Sequence, residues 1–348
     1  MTAGEHIMSE VIPVEKQTTN TAINHHDKRV YESIFDMLPS VDNPTPLVRI
    51  NRLNPEPGLS LFAKLEWVNP FGSVKDRAAA YMLRELERTG SVSATRGIVE
   101  ATSGNTGLSL AGMAGAKGYH TTVVVPNQIP EEKKILLKIV GAQLEVLNDS
   151  LCPTPGLGDG SINMARTHAR AEPDKYVHPN QYVNQQNVQA HYETTGPEIW
   201  RQTEGRVTHL FVSLGTCGTA TGTSRFLKSK NPNIRVVAVQ PSAGHDVPGL
   251  RNIAQLDVSE LLDRALIDDL LEIEYELAYR RALDLCRNEG LLAGPSSGLI
   301  FEGARRIAVR DKVGLGVMIF CDNILKYTSS MVRHLPELSA DAVPRMRE

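Results

Sequence analysis

Lys75 lies in the run Asn69-Pro-Phe-Gly-Ser-Val-Lys-Asp-Arg77, just after a Gly-Ser turn. The residues that follow carry helical spacing, so the lysine opens a helix. The positive end of a helix dipole disfavours an ammonium there and lowers the lysine's pKa. A deprotonated amine is what Schiff-base formation with an aldehyde requires. Taken alone, the same lysine also reads as a solvated side chain starting an amphipathic helix, the commoner case.

Three further motifs could hold a ligand, each where a strand or loop passes into a helix. Glu100-Ala-Thr-Ser-Gly-Asn-Thr-Gly107 crowds hydroxyl and amide side chains at a helix start. Backbone N–H groups there, with Ser103 and Thr106, can take a carboxylate, and Asn105 can donate to a phenolic oxygen. A plain cap needs only one such residue. Leu214-Gly-Thr-Cys-Gly-Thr219 has the small residues that let backbone approach a phosphate. It is neither a Walker loop nor G-x-G-x-x-G, and a ligand-free glycine turn remains open. In Ala293-Gly-Pro-Ser-Ser-Gly298, Ser296 begins another helix after a short apolar strand, and alone it reads as an N-cap.

The elements that position these motifs alternate. Strands are expected at 61–65, 97–101, 120–125, 143–147, 210–214, 235–240 and 317–321. Helices are expected at 30–38, 76–89, 106–117, 130–140, 162–171, 188–202, 219–228, 275–288 and 297–310. Such alternation means α/β layers with mainly parallel sheets, where ligands bind beyond the carboxyl ends of strands. Residues 1–25 are polar and aperiodic and read as a disordered arm. The Pro-, Gly- and Asp-rich stretch 148–160 reads as a surface loop.

The chain has 348 residues, 41% hydrophobic and 22% charged, with a formal net charge of -3. The length suggests two domains. The charge offers no field for nucleic acid. No apolar run spans a bilayer and no signal peptide opens the chain, so a cytoplasmic location is expected. The four cysteines, Cys152, Cys217, Cys286 and Cys321, show no zinc spacing and read as reduced thiols, with no metal expected.

Together and in this order, the motifs resemble fold-type II pyridoxal-phosphate (PLP) enzymes of the cysteine synthase and cystathionine β-synthase family. The runs G-S-V-K-D-R and T-S-G-N-T-G carry the resemblance, which extends from about Asn43 to Tyr327. It implies a tryptophan synthase β-like fold of twisted, mainly parallel sheets flanked by helices. A smaller domain would span 57–185, and a larger one 26–56 with 186–336, in a homodimer. It implies pyridoxal 5'-phosphate as cofactor, with Lys75 as the Schiff-base lysine and Asn105 on the ring hydroxyl. Gly215, Thr216, Cys217, Gly218 and Thr219 would form the phosphate loop, with Ser296 at the pyridine nitrogen. Thr102, Ser103, Thr106 and Gln181 (from His178-Pro-Asn-Gln-Tyr182) would hold the substrate carboxylate.

A serine, unlike an aspartate, does not hold the ring nitrogen protonated. That favours loss of a β-leaving group over transamination. The implied reaction is β-replacement on O-acetyl-L-serine or O-phospho-L-serine through an α-aminoacrylate, giving L-cysteine or another β-substituted alanine. Pro248-Gly-Leu-Arg-Asn252 resembles a stretch in members that use O-phosphoserine, where Arg251 would face the leaving phosphate. Alternatives are cystathionine synthesis from serine and homocysteine, a nitrogen nucleophile making a non-protein amino acid, and a non-catalytic protein on the same scaffold. Three departures stand out, one of them the inserted loop 148–160. Cys217 replaces a usual glycine, so its Cβ must point away from the phosphate or the loop must shift. Cys321-Asp-Asn-Ile-Leu-Lys-Tyr327 replaces the usual tail motif.

Overall fold

The computed structural model describes residues 30–148 and 160–339. The N-terminal arm, Cys152 and nearly all of the 148–160 stretch lie outside the described residues.

The described residues build two sheets. In order, the strands and longer helices are β1 (Leu47–Arg49), β2 (Leu59–Leu65), α1 (Lys75–Arg88), β3 (Gly97–Ala101), α2 (Asn105–Ala116), β4 (Thr121–Pro126), α3 (Glu131–Ile139) and β5 (Gln143–Leu147). Then come α4 (Gly160–Ala171), β6 (Tyr176–Val177), α5 (Gln185–Ala190), α6 (Gly196–Gln202), β7 (His209–Ser213), α7 (Gly218–Lys230) and β8 (Arg235–Pro241). The last are β9 (Asp269–Ile273), α8 (Tyr275–Glu289), α9 (Pro295–Asp311), β10 (Gly314–Phe320) and α10 (Thr328–His334). The larger sheet runs β1-β2-β10-β7-β8-β9 and the smaller β5-β4-β3-β6. Only β1 pairs antiparallel, against β2; the other pairings are parallel.

Parallel strands are covered on both faces, which is why they read as unbroken apolar runs. Alternate residues of the larger sheet separate cleanly. Phe211, Val237, Val239, Met318 and Phe320 pack toward α8 and α9. Leu210, Val212, Val236, Val317 and Ile319 pack toward α5, α6 and α7. In the smaller sheet, Val99, Ala101 and Val124 meet α4 through Ile162 and Ala165.

Several expectations need correction. The boundary expected at 57 assigned β2 to the smaller unit, but β2 pairs with β10 along its whole length, from Leu59 to Leu65. The expected helix at 30–38 is a single 3-10 turn, Ile34–Met37. The continuous helix expected at 188–202 is broken by a π turn, His191–Thr195, between α5 and α6. No strand precedes Ser296; Ala293 forms one isolated bridge with Asn323. The strands β1, β6 and β9 were not expected. The first two are three and two residues long, too short to carry a pattern.

Candidate active site

Three strands of the two sheets end at the same place. β3 delivers Thr102 to Asn105, β7 delivers Leu214 to Thr219, and β10 delivers Cys321 and Asp322. Between them lies a cleft of about 730 Å³ of non-atom space, its open mouth included. Lys75, Ser103, Asn105, Thr106, Gln181, Gly215, Thr216, Cys217, Thr219 and Ser296 all line it. Thr102, Gly218 and Arg251 do not.

Lys75 is the first residue of α1, and Ser73 Oγ accepts its backbone N–H at 3.2 Å. Its Nζ has no hydrogen-bond or ion-pair partner among the described residues. Its pKa lies below the ordinary lysine value because burial penalises the ammonium, with Cys321, Cys217 and Asp322 pulling the other way. Burial, rather than the helix dipole expected from sequence, is thus the main cause.

At the start of α2, Thr106 Oγ1 donates to Gln181 Oε1 at 2.6 Å, and Gln181 Nε2 donates to Ala101 O at 2.8 Å. Thr102 takes a different place. Its Oγ1 accepts the N–H groups of Gly104 and Gly107 at 3.0 and 3.2 Å, so it caps the loop. It lines an adjoining pocket with Arg251, Tyr182 and the N-terminal end of α4. Arg251 is buried; its Nη2 donates to the Tyr182 hydroxyl at 3.3 Å, and its backbone N–H bonds Leu214 O.

In the third loop, Cys217 is the N-cap of α7 with φ 68° and ψ 0°. A non-glycine residue in this left-handed region costs roughly 1–2 kcal/mol. The conformation answers the clash foreseen for its Cβ: the side chain packs among Val212, Leu214 and Val74. Burial pushes its thiol up to about 12, so it stays protonated. The flanking glycines are required by close approach. A Cβ on Gly215 would stand 2.5 Å from Gly249 O, and one on Gly218 would stand 2.1 Å from Asn187 Oδ1. Asn187 in turn donates to Thr216 Oγ1 at 2.9 Å.

Sequence reasoning missed His191, in the π turn. The side chain is fully buried between Thr219 Oγ1, 3.1 Å from Nε2, and Thr195 Oγ1, 2.8 Å from Nδ1. Burial lowers its pKa to about 3, so it bridges the two hydroxyls as a neutral ring. Nothing local marks a histidine for this position, because Thr219 is 28 residues away in the chain.

The residues fit pyridoxal phosphate. An unpartnered buried amine suits its aldehyde. The glycine-cradled start of α7, with unbonded first-turn N–H groups and the Thr216 and Thr219 hydroxyls, suits its phosphate. The Ser296 hydroxyl, which no other described residue engages, suits its ring nitrogen.

Comparisons with known proteins agree. Residues 40–322 match the family model described as pyridoxal-phosphate dependent enzyme. Cysteine synthase B of Salmonella typhimurium is 38% identical over 288 residues, 83% of this chain and 93% of that protein. Cysteine synthase of Aquifex aeolicus is 37% identical over 316 residues, 88% of this chain and 95% of that protein. Among solved structures, O-ureido-L-serine synthase superposes with a TM-score of 0.79 at 31% identity, covering 90% of this chain and 98% of that one. The protein therefore belongs to the pyridoxal-phosphate dependent enzymes, as a cysteine synthase-type member with the fold-type II architecture.

Proposed function

We propose that the protein carries out β-replacement on an activated serine, O-acetyl-L-serine or O-phospho-L-serine, with sulfide as nucleophile and L-cysteine as product. The observation that carries this reading is the convergence of Lys75, the Thr106–Gln181 pair, the Thr216–Thr219 loop and Ser296 on one cleft. When bound there, the cofactor supplies an electron sink for charge developing at the substrate α-carbon.

The chain's own residues account for the rest. Ser103 and Thr106, at the start of α2, hold the substrate carboxylate. Lys75, with its pKa depressed by burial, takes the α-proton at Nζ. The β-carbon–oxygen bond breaks, acetate or phosphate leaves, and sulfide adds at the β-carbon. Ser296 offers a hydroxyl that does not keep the ring nitrogen protonated, so prompt loss of the leaving group is favoured over transamination. Two half-reactions of this kind are ping-pong. Arg251, beside the cleft at Tyr182 and Ser103, supports O-phosphoserine as a donor.

The nucleophile class extends to nitrogen in this reading, and the working assembly is a homodimer in the cytoplasm. Among the described residues no helix is long and apolar enough to cross a membrane. The two units divide between the two sheets, with β2 in the larger.

The test is direct. Holoenzyme is mixed with O-acetylserine, O-phosphoserine or serine, with and without sulfide, and acetate, phosphate and cysteine are quantified. Sulfide-dependent cysteine formation from one donor is expected. No release of acetate or phosphate from any donor sinks the reading.

A further inference from the structure

The segment that departs from the family's tail, Cys321 to Tyr327, enters the cleft rather than lying outside it. Asp322 is 1% exposed and lines the cleft. Its Oδ2 accepts Asn105 Nδ2 at 2.6 Å and the Tyr327 hydroxyl at 2.6 Å. Its Oδ1 is buried without a partner. Lys326, also buried, donates from Nζ to Phe71 O at 2.8 Å, Gly72 O at 3.0 Å and Asn105 Oδ1 at 3.3 Å.

Two consequences follow. Asn105 has an anion on its amide nitrogen and a cation on its amide oxygen, so the orientation of its amide is set by charge. One N–H of Nδ2 is committed to Asp322, and one remains. Lys326 also ties two loops together, the one that carries Lys75 and the one that carries Asn105, which lie 30 residues apart in sequence. Gly72 allows this approach: it has φ 75°, and a Cβ there would stand 3.3 Å from Lys326 Nζ. Behind Asp322, Lys133 Nζ donates to the Tyr327 hydroxyl at 2.9 Å, so a second buried cation supports the carboxylate.

We propose that Asp322 and Lys326 are positioning residues: they orient the Asn105 amide so that its remaining N–H faces the cofactor's ring oxygen, and they hold that amide in register with Lys75. The proposal rests on the reading of Asn105 as the ring-hydroxyl partner. Neither residue transfers a group. Each acts through Asn105, and Tyr327 with Lys133 buttresses Asp322.

The test compares Asp322→Asn, Lys326→Met and the conservative Lys326→Arg with the unsubstituted protein. Three quantities are measured: the dissociation constant of PLP from resolved apoprotein, the position and pH dependence of the bound cofactor's visible band, and the melting temperature of the apoprotein. Asp322→Asn and Lys326→Met are expected to weaken PLP binding about tenfold or more and to move the band. Lys326→Arg is expected to retain most of both. Should Asp322→Asn fail to fold, the Met and Arg variants at 326 still decide the matter. An unmoved band and unchanged affinity in Lys326→Met overturn the proposal. So does a Lys326→Arg variant no better than Lys326→Met. An unsubstituted protein that binds no PLP defeats instead the reading of the cleft, so the two failures are distinct.

Discussion

Burial favours the uncharged form at both Lys75 and His191, to different ends. It lowers the lysine's pKa and so favours the free amine that its chemistry needs. Lys75→Ala is expected to lower turnover about a thousandfold, the scale of losing a positioned proton acceptor, while the fold persists. Cysteine formation with circular dichroism checks both. At His191, burial keeps the ring neutral, with a pKa near 3. An unfolded histidine titrates near 6.5. Between those values the unfolded chain holds more protons, so acidification through the window favours unfolding. Asp76 works against this. Burial raises its carboxyl to about 6 from an ordinary 3.8, so protonation between those values favours the folded state. His191→Gln keeps a donor and an acceptor but cannot titrate. Its melting temperature should therefore fall less between pH 6.5 and 4 than that of the unsubstituted protein; equal slopes contradict the assignment.

At the scale of elements, α1 is anchored by charge as well as by apolar contact. Arg77 bonds Glu66 Oε2 at 2.7 Å and Glu198 Oε1 at 2.5 Å, and Lys64 bonds Glu198 Oε2 at 2.7 Å, all fully buried. Removing Arg77 leaves buried Glu66 without its ion-pair partner and Glu198 with Lys64 alone, and breaking such a buried pair costs about 3–5 kcal/mol. Arg77→Met is expected to lose that much in urea unfolding, and a loss below about 1 kcal/mol, the scale of an exposed pair, would show the network to be dispensable. The longer elements were legible because helices repeat their period and buried parallel strands read as short runs of apolar and β-branched residues; Gly97–Ala101 and Gln143–Leu147 match expectation residue for residue. β9 was not, though its exposure alternates. Its Asp-Leu-Leu-Glu-Ile run is short, and it becomes a strand only by pairing with β8. The π turn was illegible for a related reason. Gly222 allows α7 to approach it closely, with a virtual Cβ 2.8 Å from His191 Cβ, and that contact is not local.

At the scale of the whole molecule, the cleft is lined from both sheets, including the loops that lead into α2 and α7, so a ligand there joins parts far apart in sequence. A ligand bound only by the folded state stabilises it by about 4 kcal/mol at a thousandfold excess over its dissociation constant. Holoprotein is therefore expected to melt several degrees above apoprotein in a single calorimetric transition, with Lys75→Ala reducing the gain. An identical melting temperature with and without PLP would contradict a cleft built to hold it. The sequence by itself determined the family and the cofactor class, through the resemblance its motifs carry together, and it named ten of the cleft's 21 lining residues, because Schiff-base, carboxylate and phosphate binding each draw on particular residue types within a few positions. Only the tertiary structure decided what surrounds those residues. It showed that Thr102 caps a loop, that Cys217 turns into a left-handed conformation, that β2 belongs to the larger sheet, that Asp322 lines the cleft, and that His191 and Lys326 bond the lining residues Thr219 and Asn105. The placements of β2, His191, Asp322 and Lys326 depend on contacts between residues tens to hundreds of positions apart, and spacing along a chain carries no record of such contacts.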